Sequence, residues 1–584
     1  MPQCLFWARE GLAQRRLNFL SDHARMSRQL VDLDSTRYPT SQLLQRMNIP
    51  RGRTFPELLD EMAERFPLNP FITDHGRTVS YSEFKTEVKM AAKGLHALGV
   101  QRGDQVAILM GNQIEWLVID FAVTSLGARL VALNTWWKHS ELQHALFSTD
   151  ASVLIMVSSY LGNDYNEALQ AMGDLKVVLP QLRQIVGWGK SLPQDQLNWE
   201  KMLLEGQSVP DELIEVAKAS VLPDDTAYLL FTSGSTARSK AVQLTHRGNI
   251  ENGHAIGERM HLSEQDRMLV PTSMFWSFSC VNALFAVMTH GGSLVIMFKY
   301  DTAEMLRLIE EERCTGAYTL PNISLALYEH PDRHTRDLSS WRTGICRSSM
   351  IQRMAEMGPR EMITGYGLTE CYGHSVDSDA HDSLEHRMRC CGRPLTHVEL
   401  KIINTDSGVV CPAGEAGEIC LRGHVTPGYY KDPLRNQESI DAAGWFHTGD
   451  LGIVDEGGFL QFKGRIKELI KTGGINVSPA DVEEVLHAHP HVQQAVVVGV
   501  ADAQREEIVA AMIVAKPGIK LDVQALLTHC RHTAATYKVP RFVVVTNVED
   551  IPLTDTGKVH RGRATEFMTR RYAQSSTTHK GKKL

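Results

Sequence analysis

Apolar and polar residues follow two different periods along the chain from Thr54 onward. Residues 55–66, FPELLDEMAERF, carry apolar side chains three to four positions apart, which is the spacing of one face of a helix. Residues 105–110, QVAILM, form a continuous apolar run after the turn residues at 102–104, and such a run is typical of a buried strand. The alternation of helices and strands predicts a layered α/β fold with parallel strands.

A different pattern follows the turn DEGG at residues 455–458. Short strand-like runs alternate there with helical segments, which is typical of a small α+β domain of about 100 residues. The chain is therefore predicted to have an N-terminal extension, a large α/β domain, a small α+β domain and a polar tail. The predicted boundaries are 1–50, 51–463, 464–570 and 571–584.

Composition narrows the class of protein. The chain has 584 residues, of which 43% are hydrophobic and 22% charged. This length exceeds what a single hydrophobic core accommodates, so at least two domains are predicted. The net charge of -7 gives no attraction to nucleic acid. Ten cysteines without a CxxC pair indicate a reducing, cytoplasmic location. The longest apolar stretch, at 117–137, contains Asp120 and Arg129, so no transmembrane segment is expected.

Both chain ends carry features of targeting segments. The N-terminal extension is rich in arginine, and two interpretations fit it: a transit peptide or an exposed amphipathic helix. The terminal Lys582-Lys583-Leu584 resembles the peroxisomal Ser-Lys-Leu address, with a different first residue. A peroxisomal location is therefore an alternative to the cytoplasmic one.

Residues 228–249 carry the strongest chemical signal. An apolar strand runs there into a segment of small and hydroxyl residues that ends at Lys240. Small residues let the backbone wrap around an anion, and a lysine neutralises its charge. The segment is not the P-loop of kinases, because Ala241 follows Lys240 where that motif needs Ser or Thr. A polyphosphate cradle is predicted from Thr232, Ser233, Gly234, Ser235, Thr236 and Lys240, although an ordinary loop has the same composition.

Further short segments follow in a fixed order. They are Tyr366-Gly367-Leu368-Thr369-Glu370, Gly417-Glu418 with Arg422-Gly423 and Gly428-Tyr429, Gly444 to Asp450, Gly464 to Lys467 with Gly473-Gly474, and Pro552 to Lys558. With the phosphate segment, they resemble the adenylate-forming superfamily of acyl-CoA synthetases, adenylation domains and luciferases. The resemblance extends from Thr54 to Arg563. The phosphate segment departs from it, with Ala237, Ser239 and Ala241 where the family usually has Gly, Pro and Gly.

The resemblance implies an acid:CoA ligase of the acyl-CoA synthetase type. Such an enzyme uses ATP and Mg²⁺ to convert a small-molecule carboxylic acid into an acyl-adenylate, and then transfers the acyl group to coenzyme A. Two alternatives share the scaffold. One is an adenylating enzyme that loads a carrier protein, and the other is a luciferase-like oxygenase.

The resemblance also assigns residues to the nucleotide. It implies that Lys240, Glu370 and Lys558 are catalytic, and that Glu370 holds magnesium with Thr232 as a second ligand. Lys558 would bridge the attacking carboxylate and the α-phosphate, two anions that a cation brings together. The resemblance places Tyr366 at the adenine and Asp450 and Arg465 at the ribose. The other ATP contacts that it implies are Ser348, Gly367 and Thr369.

The second half-reaction is implied to need a different orientation of the small domain. Lys467 matches the hinge residue of the family. Gly473 and Gly474 would then lie beside the pantetheine arm of coenzyme A, because glycine leaves room for a slender ligand. Lys471 is a further candidate on the same side.

The segment Met274 to Phe278 aligns with the family's acyl pocket. Amino-acid-activating relatives place an aspartate after the phenylalanine, and Trp276 follows Phe275 here. A buried ammonium without a counter-ion is costly, so an acid with an uncharged aliphatic or aryl tail is predicted. Tyr318 and Gly365 are further candidates for this pocket. The alternative is that Trp276 only packs in the core.

Overall fold

The computed structural model covers most of the chain. It describes residues 50–189, 192–232, 239–472, 475–502, 505–554 and 559–580. The N-terminal extension up to residue 49 and the terminal Lys582-Lys583-Leu584 lie outside the described residues. The predicted site residues that also lie outside them are Ser233, Gly234, Ser235, Thr236, Gly473, Gly474 and Lys558.

Strands before residue 466 form the sheets of the large domain. They are β1 (Pro70–Asp74), β2 (Arg77–Ser80), β3 (Gln105–Leu109), β4 (Arg129–Ala132), β5 (Val153–Val157), β6 (Ser159–Tyr160), β7 (Asn163–Asp164), β8 (Gln184–Trp188), β9 (Leu197–Asn198), β10 (Thr226–Thr232), β11 (Lys240–Thr245), β12 (Arg267–Val270), β13 (Ser293–Ile296), β14 (Gly316–Tyr318), β15 (Thr343–Ile345), β16 (Glu361–Ile363), β17 (Gly365–Tyr366), β18 (Val376–Asp377), β19 (Arg393–Pro394), β20 (Val398–Ile403), β21 (Ala416–Gly423), β22 (Phe446–Val454) and β23 (Leu460–Arg465).

Two seven-stranded sheets form the main layers. Their orders are β11-β10-β4-β3-β5-β8-β9 and β16-β15-β14-β12-β13-β1-β2. Neighbouring strands are parallel, except in the edge hairpins β10–β11 and β1–β2. Every residue of β3 is buried, as expected for a parallel strand covered on both faces. The predicted layered α/β fold is confirmed.

Helices cover these sheets and connect their strands. In the large domain they are α1 (Phe55–Arg65), α2 (Tyr81–Ala97), α3 (Ile114–Ser125), α4 (His139–Ser148), α5 (Tyr165–Ala171), α6 (Leu175–Val178), α7 (Trp199–Gly206), α8 (Asp211–Ala219), α9 (His246–Arg259), α10 (Leu284–Met288), α11 (Thr302–Glu311), α12 (Pro321–Glu329), α13 (Ile351–Met357), α14 (Leu384–Arg389) and α15 (Pro433–Ser439). Thr54 and Ser80 begin α1 and α2 with capping boxes completed by Glu57 and Glu83.

Helix α3 explains the longest apolar stretch of the sequence. All of its residues except Glu115 are buried, and its apolar residues belong to a hydrophobic core that includes residues of both large sheets. A helix that is apolar all round is expected inside a large core. Within the described ranges, no helix is both long enough and apolar enough to cross a membrane.

Besides the hairpin β6–β7, two smaller sheets complete the large domain and carry several predicted site residues. Their orders are β17-β18-β19 and β20-β21-β22-β23, and all their neighbouring strands are antiparallel. Tyr366 ends β17, Asp450 lies in β22, and Arg465 ends β23. The large domain thus ends on a strand that belongs to the candidate site.

The remaining residues form the small α+β domain. Its strands are β24 (Ile470–Thr472), β25 (Ile475–Val477), β26 (Val492–Asp502), β27 (Glu506–Ala515) and β28 (Phe542–Thr546), and its helices are α16 (Pro479–His487), α17 (Val523–Thr533) and α18 (Arg561–Lys580). The strand order is β25-β24-β27-β26, and β28 pairs with β27 in parallel. The predicted small domain is therefore confirmed as a fold, whereas its predicted boundary at residue 464 falls inside β23 and stays a prediction.

Candidate active site

Asp450 and Arg465 face each other across the antiparallel pair β22–β23. They are register partners, and Arg465 Nε lies 2.8 Å from Asp450 Oδ1. The Asp450 side chain is 2% exposed, whereas that of Arg465 is 50% exposed. The hairpin thus brings together the two residues predicted to hold the ribose, with the carboxylate buried and the guanidinium half in solvent.

Tyr366 reaches Asp450 from the neighbouring small sheet. Its hydroxyl donates a hydrogen bond to Asp450 Oδ2 over 2.7 Å. Its ring stacks on Phe462 of β23, with the ring centroids 5.6 Å apart. The residue predicted to contact the adenine is therefore held beside the predicted ribose site, and its stacking on the base stays a prediction.

The ionisation of Asp450 is set by its surroundings. Burial raises the pKa of Asp450 to about 6; Arg465 and the Tyr366 hydroxyl lower it, whereas the charges of Glu370 and Glu468 raise it. A carboxylate accepts hydrogen bonds at both oxygens, but a protonated carboxyl must donate from one of them. Asp450 can therefore accept from ribose hydroxyls most effectively in its ionised form.

We expect adenosine to bind more weakly as the pH falls through about 6, because Asp450 becomes protonated there. Above this pKa the affinity should be constant, and below it the affinity should fall by up to about tenfold per pH unit. Calorimetric titration at a series of pH values measures the effect, and adenosine avoids the phosphate group that titrates near the same pH. The Asp450→Asn variant should show no such dependence; an equal pH profile in that variant would assign the effect to another group.

Two of the residues predicted to bind phosphate lie at the end of the β10–β11 hairpin. Thr232 and Lys240 are register partners, and the segment 233–239 connects them. Lys240 Nζ lies 5.4 Å from the centre of the Tyr429 ring. The Tyr429 hydroxyl in turn donates a hydrogen bond to Glu370 Oε1 over 2.9 Å. Tyr429 thus links the predicted phosphate-binding lysine to the predicted magnesium ligand.

Several charged groups surround Lys240. Burial lowers the pKa of Lys240, and the positive charges of Arg435 and Lys467 lower it further. The carboxylates of Glu370 and Asp432 act in the opposite direction. Cations held close together repel one another and gain from a bound polyanion, so this arrangement suits the triphosphate of ATP.

Glu370 fits the requirements of a magnesium ligand. It lies in a short 3₁₀ turn, Thr369–Cys371, and its backbone oxygen accepts a hydrogen bond from the Thr426 N–H over 2.6 Å. Because Tyr429 contacts Oε1, the second carboxylate oxygen is the one suited to a cation. Magnesium commonly binds one or two protein oxygens together with substrate phosphates. The hydroxyl of Thr232, at the end of β10, is the second predicted oxygen ligand.

Three large aromatic side chains form a cluster at the predicted acyl pocket. The Trp276 ring lies 5.1 Å from that of Phe275 and 5.2 Å from that of Trp136, measured between centroids. The neighbouring Ser277 Oγ lies 3.4 Å from Thr369 Oγ1. The cluster therefore adjoins the segment predicted to bind the nucleotide, as an enzyme that joins an acid to ATP requires.

Tyr318 lies behind this region. It is fully buried, its ring lies 5.1 Å from that of Phe278, and its hydroxyl contacts Met260 Sδ at 3.9 Å. Phe278 is partly exposed and Tyr318 is not, so Tyr318 is placed to support Phe278 from behind. Direct contact between Tyr318 and a substrate stays a prediction.

The space beside Gly365 is occupied by a histidine and a carboxylate. His374 Nδ1 lies 2.7 Å from Asp377 Oδ1, so the ring donates to the carboxylate. A Cβ atom on residue 365 would lie 2.0 Å from that oxygen and 2.6 Å from His374 Nδ1. Glycine at this position thus admits the His374–Asp377 pair, and its place in the acyl pocket stays a prediction.

The other predicted residues occupy turns and exposed strands around the site. A Cβ atom at Gly367 would lie 1.8 Å from the Gly373 oxygen, so the backbone passes too closely there for any side chain. Ser348 begins a 3₁₀ turn after β15. Lys467 is exposed in the turn Ile466–Glu468, and Lys471 is exposed in β24. These positions agree with surface roles, and the roles themselves stay predictions.

Comparison with known proteins identifies the family of this chain. The family model described as AMP-binding enzyme matches residues 59–430, which is more than half of the chain. The model described as AMP-binding enzyme C-terminal domain matches residues 481–558. The chain belongs to the AMP-binding enzyme family. The resemblance found in the sequence motifs is therefore confirmed.

Relatives in this family match along nearly their whole length. "Acyl-CoA ligase sidI" of Aspergillus fumigatus is 31% identical over 537 residues, which cover 86% of this chain and 89% of that protein. "Medium-chain acyl-CoA ligase ACSF2, mitochondrial" of Danio rerio is 30% identical over 539 residues, covering 88% of each. The crystal structure of the anthranilate CoA ligase AuaEII in complex with anthranoyl-AMP superposes with a TM-score of 0.79 at 25% identity, covering 89% of this chain and 98% of that one.

These matches establish the class of reaction. The chain is an AMP-forming acyl-CoA synthetase that uses ATP, Mg²⁺ and coenzyme A with a small-molecule carboxylic acid. They do not favour a luciferase-like oxygenase and give no support to a carrier protein as acceptor.

Three contacts of the site were not predicted from sequence. Tyr429 belongs to a family segment, but its hydrogen bond to Glu370 joins residues 59 positions apart. Trp136 follows β4, and the carboxyl end of a parallel strand is where α/β proteins place ligands. Its place after a predicted parallel strand could therefore have identified Trp136 from the sequence. No comparable sequence signal identifies the His374–Asp377 pair.

Proposed function

We propose that this acyl-CoA synthetase acts on an acid with an uncharged aliphatic or aryl tail, and that the residues assigned above carry its two half-reactions. The observation that supports the residue roles is the convergence of two groups. Asp450, Arg465 and Tyr366 form a polar cluster suited to a nucleoside, and Glu370 and Lys240 lie on either side of Tyr429 in a setting suited to phosphates.

In the first half-reaction the acid displaces pyrophosphate from ATP. A carboxylate oxygen of the acid attacks the α-phosphorus, and the bond to the β-phosphate oxygen breaks. Asp450 and Arg465 hold the ribose, Lys240 neutralises the departing pyrophosphate, and Lys558 bridges the two reacting anions. Bringing these anions together is the main electrostatic obstacle, and fixed cations lower it. Magnesium, when held by Glu370 and Thr232, supplies further neutralisation of the phosphate oxygens.

In the second half-reaction coenzyme A displaces AMP. Its thiol sulfur, having lost its proton, attacks the acyl carbonyl carbon, and the bond to the AMP oxygen breaks. We propose that the small domain turns about Lys467 between the two steps, so that Gly473 and Gly474 line the path of the pantetheine arm and Lys471 faces the site. Hinges of this kind absorb large backbone changes at a few residues between domains.

The aromatic cluster supports the proposed class of acid. The rings of Trp136, Phe275 and Trp276 contact one another and offer apolar surface. No carboxylate stands at position 276 to pair with the ammonium of an α-amino acid, and burying that charge unpaired costs several kcal/mol. The named acids of the relatives above, medium-chain acyl groups and anthranilate, include aliphatic and aryl types.

We expect Trp276→Ala to shift the preference of the enzyme toward longer or bulkier acids, because removal of the indole enlarges the pocket. The ratio of kcat/KM between a long and a short acid should change by about tenfold or more, because a single methylene in an apolar pocket already changes this ratio by about tenfold or more. Pyrophosphate release with a graded series of fatty and aryl acids measures this ratio.

Trp188→Ala is the matched control, since Trp188 is also partly buried and packs on another tryptophan, Trp199. It should leave the ratio unchanged. The class of acid is contradicted if the wild-type enzyme activates an α-amino acid faster than every fatty or aryl acid tested. The first half-reaction would stand in that case, since pyrophosphate would still be released.

The compartment remains a prediction. We propose a cytoplasmic location, with a peroxisomal one as the alternative if Lys582-Lys583-Leu584 acts as an address. A fluorescent fusion with and without the last three residues distinguishes the two locations.

A further inference from the structure

A second group of potential ligands lies on α9, apart from the nucleotide and acyl segments. His254 and Glu258 are four residues apart on this helix, and His290 follows the end of α10. One ligand atom from each of the three residues lies within 4.8 Å of the other two. The imidazole rings of His254 and His290 are neighbours, with centroids 5.1 Å apart and an angle of 19° between their planes.

The ring of His290 is fixed by the backbone. Its Nδ1 lies 2.8 Å from the carbonyl oxygen of Ala286, which can only accept a hydrogen bond, so Nδ1 carries a proton. In the neutral ring Nε2 is then an acceptor, and it lies 3.1 Å from Glu258 Oε1, which is an acceptor as well. Two facing lone pairs need a positive charge between them, either a proton or a metal ion.

The same hydrogen bond is typical of a histidine that binds a metal. A metal-binding histidine usually donates its other ring N–H to a carboxylate or a backbone carbonyl, which fixes the tautomer and the direction of the ring. The close approach of this ring to α9 depends on Gly257, since a Cβ atom there would lie 2.3 Å from His290 Cε1. One outer hydrogen bond typical of a metal site is thus already present, at His290.

Two distances between the ligand atoms bracket the value expected for a small tetrahedral ion. Bonds of about 2.0–2.1 Å to zinc place neighbouring ligand atoms about 3.4 Å apart. The carboxylate oxygen of Glu258 lies 3.1 Å from His290 Nε2 and 4.0 Å from His254 Nε2. Glu258 is 54% exposed, whereas the two histidines are 8% and 14% exposed, so one side of the group faces solvent.

We propose that His254, Glu258 and His290 form a binding site for a divalent transition metal of the zinc type, with solvent as the remaining ligand. Two imidazoles and one carboxylate with an open position are a ligand set that zinc accepts. The ion would connect α9 to the segment after α10. This proposal is independent of the residue roles proposed for the acyl-CoA synthetase reaction.

The experiment uses the full-length protein, stripped with a chelator and kept free of nucleotide. Zinc is titrated by competition with a chromophoric chelator, and the melting temperature is recorded with and without zinc. We expect one tight equivalent of zinc and a higher melting temperature in its presence. Cobalt at the same site should give the intense visible absorption of a tetrahedral ion.

The variants His290→Gln and Glu258→Gln should lose this equivalent. Loss of an outer-shell partner weakens metal binding by about 10–100-fold, so loss of a ligand should weaken it by more than about 100-fold. Glu258 is largely exposed, so its variant keeps the test valid if His290→Gln does not fold. His261→Gln is the matched control, because His261 follows the same helix and lies 2.9 Å from a different carboxylate, Asp379.

The outcomes separate a metal site from a simple ion pair. Zinc binding that is unchanged in Glu258→Gln and His290→Gln overturns the proposal and leaves a protonated His290 paired with Glu258. If one tightly bound zinc ion is found and is lost only in His261→Gln, the proposal is also overturned, because the metal then binds at His261 and Asp379. Loss in the two ligand variants together with retention in His261→Gln supports it.

Discussion

Replacing Lys558 with Ala is expected to abolish acyl-adenylate formation while sparing much of the thioester step. The lysine is proposed to bridge the carboxylate and the α-phosphate in the first half-reaction only. Removal of one fixed group that stabilises a developing charge commonly costs about 10²–10³ in kcat. Pyrophosphate release measures the first half-reaction, and thioester formation from supplied acyl-adenylate measures the second.

Lys520→Ala is a suitable control, because Lys520 is an exposed lysine of the same small domain. It should leave both half-reactions unchanged. An equal loss of both half-reactions in Lys558→Ala would contradict the two-orientation proposal, since the lysine would then act in both steps or support the fold. The melting temperature of the variant distinguishes these two causes.

Replacing Asp450 with Asn is expected to weaken ATP binding by about 10–100-fold. The change removes the charge that strengthens the bonds from the ribose hydroxyls, and a charge-assisted hydrogen bond contributes about 1.5–3 kcal/mol. Asparagine still offers an oxygen to the Tyr366 hydroxyl, so the fold should be kept better than with alanine. Equilibrium binding of ATP and the KM for ATP measure the effect.

Asp406→Asn provides the same chemical change in an exposed turn between β20 and β21 and should leave ATP binding unchanged. An unaltered ATP affinity in Asp450→Asn would remove Asp450 from the ribose site. In that case the buried carboxylate would serve the fold alone, through its contacts with Tyr366 and Arg465.

Local sequence was sufficient to predict contacts made within one hairpin. Asp450 and Arg465 are 15 positions apart around the turn at residues 455–458, so two adjacent antiparallel strands bring them together. Thr232 and Lys240 are paired in the same way by β10 and β11. The family segments identified these residues, and ordinary strand pairing explains why they meet.

Contacts between distant segments could not be predicted in this way. Trp136 meets Trp276 because two different sheets approach each other, and no local pattern encodes that distance. Gly365 shows a second limit: the sequence indicates that a side chain is absent but not what fills the space. There the His374–Asp377 pair occupies the space that a Cβ atom on residue 365 would need.

The position of Arg465 has a thermodynamic consequence. Arg465 is the last residue of β23, and Lys467 lies two positions further on, in the turn that leads into the small domain. The rotation proposed at Lys467 would therefore act directly on the strand end that pairs with Asp450. Nucleotide binding and domain orientation are then thermodynamically linked. If a bound nucleotide favours one orientation by a given factor, that orientation raises the affinity for the nucleotide by the same factor. Reorientation of the small domain and release of AMP would accordingly share one free-energy coupling located in these three residues.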